Sequence, residues 1–353
     1  MKKILITGSL GYIGSVVYEH LIKSGYRVTG IDNGIFESCF LGNPYTQNVV
    51  YKNLSNITEQ DIEENEVVIH LSGLQNDPIA ETYPGRLYDV EFEYSLYIAR
   101  ACKKMGIKFI YASSCSVYGY SESNKYLTEN DLTNPLTPYS INKLRTEKSI
   151  IDLCDKKFKP VLLRFATIFG YSPRIRFDLY INMFVGMAMT SGRLFLNSDG
   201  SSWRPNVHIN DICKVLELTI EKEFDNYEVI NVGNNNLNCQ VADVIDILKK
   251  QLPDLSVEFA GSQHELFNDQ YVVGGKDKRS YKVDFSKLNN IFGEIVCSTT
   301  LEAGITNLIC RLQLIEDFPI IFQDTKFYRL QWMKKLMSKE LLDQSLNYYR
   351  VNN

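Results

Sequence analysis

The opening of this chain limits its fold more than any other stretch. A short apolar run, Lys3-Ile-Leu-Ile-Thr7, is closed by Gly8-Ser-Leu-Gly11-Tyr12-Ile13-Gly14 and leads into a helical pattern over Tyr12–Lys23. In that pattern Ile13, Val16, Val17, His20 and Leu21 fall on one stripe. The glycine spacing is Gly-x-x-Gly-x-x-Gly. Glycine at such places lets the chain turn sharply, brings backbone close to a diphosphate and allows helix to pack on strand. The helix N-terminus then offers N–H donors to phosphate. A glycine turn can also be only a turn. Here it sits between strand and helix, and Asp32 ends the second apolar run 18 residues beyond Gly14. A carboxylate there accepts from both hydroxyls of a ribose and repels a 2′-phosphate. The loop therefore predicts NAD in preference to NADP. No Gly-Lys-Ser/Thr comes after it, so it is not a nucleotide P-loop.

The same alternation continues. Strands are predicted at Lys3–Thr7, Arg27–Ile31, Asn48–Tyr51, Val67–Leu71, Lys108–Ala112 and Pro160–Phe165, with helices at Tyr12–Lys23, Arg86–Met105 and Tyr139–Cys154. Strands alternating with helices predict an α/β chain with a Rossmann-type doubly wound parallel sheet. After Gly170 the rhythm changes. Ser172-Pro173-Arg174 reads as a loop, Asp178–Thr190 as a helix, Trp203–Ile209 and Glu228–Val232 as strands around a helix at Asp211–Glu221, and Val241–Gln251 as a helix. Irregular sequence comes next, then a helical tail at Phe327–Leu336 and Lys339–Leu346. The expected organisation is a dinucleotide-binding domain over residues 1–170, with 203–233 returning to it. Residues 171–202 and 234–353 then form a smaller C-terminal α/β substrate lobe and the tail.

Composition narrows the function classes. The 38 basic and 42 acidic residues form no long run of one sign, so no nucleic-acid footprint is present. Eight scattered cysteines show no metal-ligand spacing, so no metal site is expected and the thiols read as reduced. No stretch reaches the ~20 apolar residues that span a bilayer, and Gly8 and Gly11 interrupt the first apolar run too early for a secretion signal. A cytoplasmic protein without a membrane partner is expected.

Two further segments carry chemistry. Tyr139-Ser-Ile-Asn-Lys143 lies on a predicted helix, where an i, i+4 spacing puts both side chains on one face. A lysine ammonium beside a phenol, with a positively charged nicotinamide near it, favours the phenolate and lets tyrosine take a proton from an alcohol. Taken alone, the pair also fits a solvated helix face. Ser113-Ser114-Cys115-Ser116-Val117-Tyr118-Gly119 comes after the fifth strand, at the carboxyl edge where open α/β sheets bind ligands. A hydroxyl there can hold and polarise the reacting oxygen.

With Val68-Ile-His70-Leu71, Glu147, Leu163-Arg164-Phe165, Trp203-Arg204-Pro205-Asn206-Val207 and Asn231-Val232-Gly233, these segments occur in the order and spacing of one family over about residues 1–310. The chain resembles an extended short-chain dehydrogenase/reductase of the NAD-dependent nucleotide-sugar epimerase/dehydratase group, which is UDP-glucose 4-epimerase-like. The resemblance implies Ser114, Tyr139 and Lys143 as the catalytic residues. It implies a cofactor site of Gly8, Gly11, Tyr12, Ile13, Gly14, Asp32, Asn33, Asn53, Leu54, Leu71, Ser72, Gly73, Phe165 and Ile168, together with Tyr139 and Lys143. It implies substrate contacts at Ser114, Cys115, Ser116, Thr167, Arg204 and Arg279, the two arginines on the nucleotide diphosphate. His70 reads as a strand-end packing residue. A GDP-, UDP- or dTDP-linked sugar and a homodimer or homotetramer are implied in the same way.

The chain also departs from the family pattern. Dehydratases of the group carry an Asp-Glu pair after the serine, and the uronate decarboxylases a glutamate at the second position; here Cys115 and Ser116 stand there. That leaves hydride chemistry at C4, either as a 4-epimerase or as a C4 dehydrogenase. The Ser113–Gly119 and Ser172–Asp178 segments are also similar to enzymes that oxidise C4 of GDP-manno-heptose. An NAD-binding sensor without catalysis is the alternative outside enzymes. Asp89 stands in place of an asparagine that orders water near the catalytic residues, Thr167 in place of a substrate-contacting asparagine, and Asn53 in place of an aspartate that meets adenine.

Overall fold

The computed structural model describes residues 1–73, 87–121, 125–196, 199–259, 280–294, 296–343 and 347–349. The strands in chain order are β1 (Lys3–Thr7), β2 (Arg27–Asp32), β3 (Val49–Tyr51), β4 (Val67–His70), β5 (Lys108–Ser114), β6 (Tyr126–Leu127) and β7 (Val161–Phe165). They continue with β8 (Thr167–Phe169), β9 (Arg193–Leu196), β10 (Trp203–His208), β11 (Glu228–Val232), β12 (Asn238–Gln240), β13 (Ser256–Phe259) and β14 (Lys282–Val283). Seven of them form one sheet in the order β11-β7-β5-β4-β1-β2-β3, and every pairing in it is parallel. Ile4, Leu5 and Ile6 are all fully buried. Continuous burial, in place of alternation, is what helices on both faces of a parallel sheet require.

The order reverses between β1 and β4. Chain leaves the carboxyl ends of these neighbours in opposite directions, and the crevice outside such a switch point is where open sheets take ligands. Three helices, Tyr12–Lys23, Leu87–Met105 and Pro138–Ile151, flank the sheet. The last begins with Thr137 as its cap: the Thr137 hydroxyl accepts from the Ser140 N–H at 3.2 Å and Pro138 takes the first turn. This start puts Tyr139 in the first helical turn, whose unsatisfied N–H groups favour negative charge.

Residues 203–233 divide. β11 and the helix Ile209–Glu221 return to the large sheet and its core, whereas β10 belongs to a separate sheet ordered β12-β10-β8. The second lobe has its own core, centred on Phe177, whose ring meets Phe318, Phe322 and Phe327 at 5.9, 4.9 and 5.8 Å. Two expectations are corrected here. The stretch after Gln251 holds helices Ser286–Phe292, Leu301–Gln313 and Phe318–Gln323, not only irregular chain. In the tail, Arg329–Ser338 is helical, but Lys339 and Glu340 form a turn and Leu342 bridges antiparallel to Tyr348. Glu340 adopts φ 56°, which ends the helix and begins a hairpin-like return.

No described helix is long and apolar enough to cross a membrane. No group of metal-ligating side chains occurs among the described residues.

Candidate active site

The glycine loop is built for backbone contact. Gly8 has φ +77°, and a Cβ on it would lie 2.8 Å from the Ser72 nitrogen at the end of β4. A Cβ on Gly14 would lie 2.0 Å from the Gly8 oxygen, so only glycine lets the helix approach the turn this closely. Gly11 caps the helix without a side chain, leaving the first-turn N–H groups to a ligand. Tyr12 is buried and donates its hydroxyl to the Gly170 oxygen at 2.7 Å, which ties the loop to the second lobe; Ile13 packs on the core.

Asp32 closes β2 beside this loop. Its carboxylate accepts from the Leu10 and Gly34 N–H groups at 3.0 and 2.9 Å. Burial pushes its pKa up, opposed by those backbone donors and by Arg174. Asn33 donates to the Asn53 side chain at 3.1 Å. Asn53 in turn accepts from the Tyr348 N–H at 2.9 Å and donates to the Tyr348 oxygen at 3.3 Å. The side chain of Asn53, expected at the adenine, is therefore engaged by Asn33 and the tail. Leu54 packs into the core behind it, and Leu71, Ser72 and Gly73 run along the far side of Gly8.

Ser114 ends β5 directly beside Phe165, the last residue of β7. Its hydroxyl accepts from the Ser116 N–H at 3.1 Å. Cys115 is buried, donates to the Arg164 oxygen at 3.1 Å, and burial pushes its thiol pKa up, so it offers no thiolate. Ser116 is 6% exposed, and its hydroxyl has no hydrogen-bond partner among the described residues. Thr167 and Ile168 lie on β8 opposite Asn206 and Val207. Arg204 is on β10, opposite Cys239, and donates to the Trp203 oxygen at 3.1 Å. Arg279 lies outside the described residues.

A buried ion pair holds this edge in place. Arg164 donates to Glu147 through Nη2 at 2.7 Å and Nε at 3.0 Å, and Ser113 donates to the same carboxylate. Arg164 Nη1 also reaches the Tyr118 hydroxyl at 3.0 Å, which donates to Asn231 at 2.8 Å. Four pieces of chain are thus fixed together: β5 with its loop, the Pro138–Ile151 helix, β7 and β11. The fork geometry is one that only arginine supplies.

Lys143 is fully buried. Its ammonium donates to the Tyr111 hydroxyl and the Ala112 oxygen, each at 3.1 Å, and faces Glu91 at 3.3 Å. Glu91 is 4% exposed, lies against Gly73, and beyond that ion pair its side chain has no hydrogen-bond partner among the described residues. The sequence points to Asp89 for this neighbourhood. Asp89 is instead on the surface, paired with Arg145 at 2.7 Å, and Glu91 is the acid that faces the lysine. Two residues along a helix turn the side chain by some 200°, so a small slip in alignment selects the wrong face.

His70 is held between Thr7 (2.7 Å to Nδ1) and Ser95 (2.9 Å to Nε2). Ser95 gives its own proton to the Glu91 oxygen, so Nε2 carries the imidazole proton and Nδ1 accepts from Thr7. Burial, helped by Lys143, lowers its pKa to about 3, and it stays neutral.

Three arginines escape a reading of the sequence alone. Arg174, Arg176 and Arg329 feel one another's charge and that of Asp178. Arg174 stacks on Phe36 at 4.1 Å and feels Asp32, and Tyr139 lies within electrostatic reach of Arg176 and Arg329. Arg176 forks onto Asp178 at 3.0 and 2.6 Å. Arg174 is fully buried with two of its three guanidinium nitrogens, Nε and Nη2, lacking any hydrogen-bond partner among the described residues. The Arg-x-Arg of Ser172–Asp178 is visible in the chain, but nothing local says that Arg174 is buried against Phe36.

Two features fit NAD: a glycine cradle that a Cβ would fill, and beside it the Asp32 carboxylate at the end of β2. Bound there, NAD would supply a hydride acceptor.

The chain matches the family model "NAD dependent epimerase/dehydratase family" over residues 4–233. It is 28% identical over 335 residues to the uncharacterized UDP-glucose epimerase YtcB of Bacillus subtilis (strain 168), covering 88% of this chain and 98% of the relative. It is 30% identical over 286 residues to a UDP-glucose 4-epimerase of Neisseria meningitidis serogroup C, covering 70% and 81%. Among solved structures it is similar to MoeE5 in complex with UDP-glucuronic acid and NAD, with TM-score 0.73, 23% identity, and 88% and 100% of the two chains covered. The match spans the glycine cradle, Asp32, the Ser114 loop and the Tyr139–Lys143 helix, and the chain belongs to the NAD-dependent epimerase/dehydratase family of short-chain dehydrogenase/reductase enzymes.

Proposed function

We propose that this enzyme oxidises and re-reduces C4 of a nucleotide-linked sugar, acting as a 4-epimerase. The observation that carries the reading is the pair of residues next to Ser114: a buried, protonated thiol at Cys115 and a hydroxyl at Ser116, with no carboxylate. Water loss and decarboxylation in this fold need an acid and a base placed over the sugar ring. Neither residue can serve at neutral pH, and proton and hydride transfer remain. The relatives named UDP-glucose 4-epimerase support the same substrate class.

Tyr139 takes the proton of the C4 hydroxyl. The first-turn position, Arg176 and Arg329 all favour its phenolate. Ser114 holds the same oxygen and stabilises it as it becomes a carbonyl. Lys143 adds positive field from below, anchored by Glu91, Tyr111 and Ala112. Arg204 and Arg279 hold the substrate diphosphate. Turnover of the keto sugar within the site and the reverse transfer then give the C4 epimer with no net redox change. The enzyme works as a homodimer through the helices Leu87–Met105 and Pro138–Ile151, where Ile141 is 52% exposed; sedimentation of an Ile141→Glu variant as a monomer is the expected result.

The test is a panel of UDP-, GDP-, dTDP- and CDP-sugars, monitoring absorbance of the reduced nicotinamide and the configuration at C4. A C4 epimer is expected from at least one of them without stoichiometric reduced cofactor. Stoichiometric reduced cofactor with release of a 4-keto sugar supports the second reading, a C4 dehydrogenase, which the likeness of Ser172–Asp178 to enzymes acting on GDP-linked heptose favours. No reaction with any of the panel refutes both.

A further inference from the structure

The turn that follows β2 depends on the far end of the chain. Among the described residues, the apolar cluster that buries Ile35, Phe36 and Cys39 is completed only by the tail, through Met333, Leu336 and Leu342. Hydrogen bonds join the same two pieces. The Trp332 indole donates to the Ile35 oxygen at 2.7 Å. Ile35 and Gly34 in turn give their N–H groups to the Asn33 and Asp32 side chains at 3.1 and 2.9 Å. Further along the tail, Leu342 bridges to Tyr348. On either side of that bridge the Asp343 N–H meets the Asn347 oxygen and the Tyr349 N–H the Leu341 oxygen, at 3.1 and 2.9 Å. In such an antiparallel pairing the N–H and C=O of Tyr348 point to the outer edge. There both bond the Asn53 side chain, the N–H giving to Oδ1 at 2.9 Å and the oxygen accepting from Nδ2 at 3.3 Å. Ser55 donates to Asn347 beside them at 3.1 Å. An asparagine amide, with an acceptor and a donor on one end, matches an outward backbone pair.

We infer that Trp332 and Tyr348 are positioning residues for the cofactor: the tail fixes the chain after β2 and β3 for the adenosine half of NAD, so that holding NAD and holding the tail are coupled. A sheet of this kind takes one nucleotide over each half, and the halves meet where the strand order reverses, between β1 and β4. Ser114 ends β5, on one side of that point, which gives the nicotinamide to that side. Asp32, Asn33 and Asn53 end or follow β2 and β3, on the other side, and the adenosine half falls to them. The tail grips this second side at both places. At β2 it holds the carbonyl next to the N–H that bonds the Asp32 carboxylate, from 297 residues away in the chain. At β3 it holds Asn53, which also accepts from Asn33 at 3.1 Å. With the tail released, Ile35 and Phe36 lose the surface that buries them, and the turn bearing Asp32 gains other conformations. The fraction of molecules competent to bind then falls, and affinity falls with it.

The inference rests on NAD being the cofactor, and the test keeps the two apart. Coupling is reciprocal, so the full native chain, stripped of dinucleotide, is tested first and no variant has to fold. Hydrogen exchange of the Tyr348 and Tyr349 amides is followed without ligand, with saturating ADP and with saturating UDP. ADP is expected to slow it by about 5-fold or more, and UDP to leave it unchanged. Trp332→Phe, which removes the donor and keeps a ring, and Tyr348→Pro, which removes the N–H at Asn53, are then titrated calorimetrically with NADH, ADP and UDP. Each is expected to lose about 2- to 10-fold in affinity for NADH and ADP, the worth of one hydrogen bond, while UDP affinity holds. Tail exchange indifferent to ADP, in a chain that binds NADH, overturns the coupling alone. Faster tail exchange under ADP overturns it by making the tail a competitor for the same place. Variants that lose ADP and UDP alike overturn it by showing a general structural role. A native chain that binds neither NADH nor ADP overturns the cofactor reading and the coupling together.

Discussion

Replacing Glu91 by glutamine removes one charge from beside Lys143, on the helix that carries Tyr139, and almost nothing else. The two side chains are isosteric, Glu91 is 4% exposed, and its partner Lys143 is fully buried at 3.3 Å. Glu91 withdraws part of the positive field that Lys143 casts on Tyr139, so its loss favours the phenolate. The size comes from distance. Tyr139 and Lys143 are one helical turn apart, about 6 Å between Cβ atoms, and the carboxylate is 3.3 Å from the ammonium, so the two charges are taken as roughly 9 Å apart. At an effective dielectric of about 20, Coulomb's law gives about 1.8 kcal/mol, a little over one pKa unit. The acid limb of the kcat/KM profile, which reports this phenol in the free enzyme, is expected to move down by about one pH unit in Glu91→Gln. The Lys143 ammonium then lacks a counter-charge, and stability falls by about 3 kcal/mol. The assay is a pH series with the best substrate of the nucleotide-sugar panel, with folding at each pH checked by circular dichroism. A limb that stays in place, or moves up, refutes the electrostatic coupling of Glu91 to Tyr139 through Lys143.

Other expectations test the supports of the site. Gly14→Ala forces a methyl to within 2.0 Å of the Gly8 oxygen; loss of NADH binding by more than tenfold, read by fluorescence, is expected, and native affinity would contradict the cradle. Glu147→Ala leaves Arg164 buried without its carboxylate and should cost about 3–5 kcal/mol in denaturant unfolding; a cost under about 1 kcal/mol would show that the network does not hold the edge. His70 gives a pH signature. The unfolded chain takes up the imidazole proton below about 6.5, the folded one only near 3. The unfolded state therefore binds more protons in that window, and stability falls with falling pH by about 1.4 kcal/mol per unit at full effect. His70→Gln should flatten the slope between pH 6 and 4 by about that amount, and equal slopes would contradict a neutral buried imidazole.

The parallel sheet is legible in the sequence because its strands are buried on both faces and read as unbroken apolar runs, as in Ile4-Leu5-Ile6 and Val67–Ile69. Its helices are legible from their stripes, and the glycine turn from a spacing that sterics makes obligatory at Gly8 and Gly14. The second lobe is harder. β8, β12 and β14 are only three, three and two residues long, too short for a period to register; β8 and β12 exist because β10 pairs with them, and β14 because it pairs with β6. The Leu301–Gln313 helix carries a clear apolar face of Leu301, Ile305, Leu308 and Leu312, and reading it as irregular overlooks a signal that is present. Lys339–Leu346 has helix-forming residues, but Leu342 is held by its bridge to Tyr348 and by packing in the cluster around Phe36, a tertiary choice. In the proposed site, Ser114, Tyr139 and Lys143 can be picked out from the sequence because the pattern that points to them is local. Glu91, Arg174, Arg176 and Arg329 cannot, because each acquires its meaning from a chain segment distant in sequence.

The proposed chemistry turns on Tyr139 removing the proton of the C4 hydroxyl as hydride leaves the same carbon. Rapid-mixing absorbance of the nicotinamide decides it, with Tyr139→Phe and native enzyme each loaded with NAD and given excess nucleotide-sugar. The variant is expected to keep its NAD and to form reduced cofactor about 10²- to 10⁴-fold more slowly. A variant that reduces its NAD at the native rate would contradict the role of Tyr139.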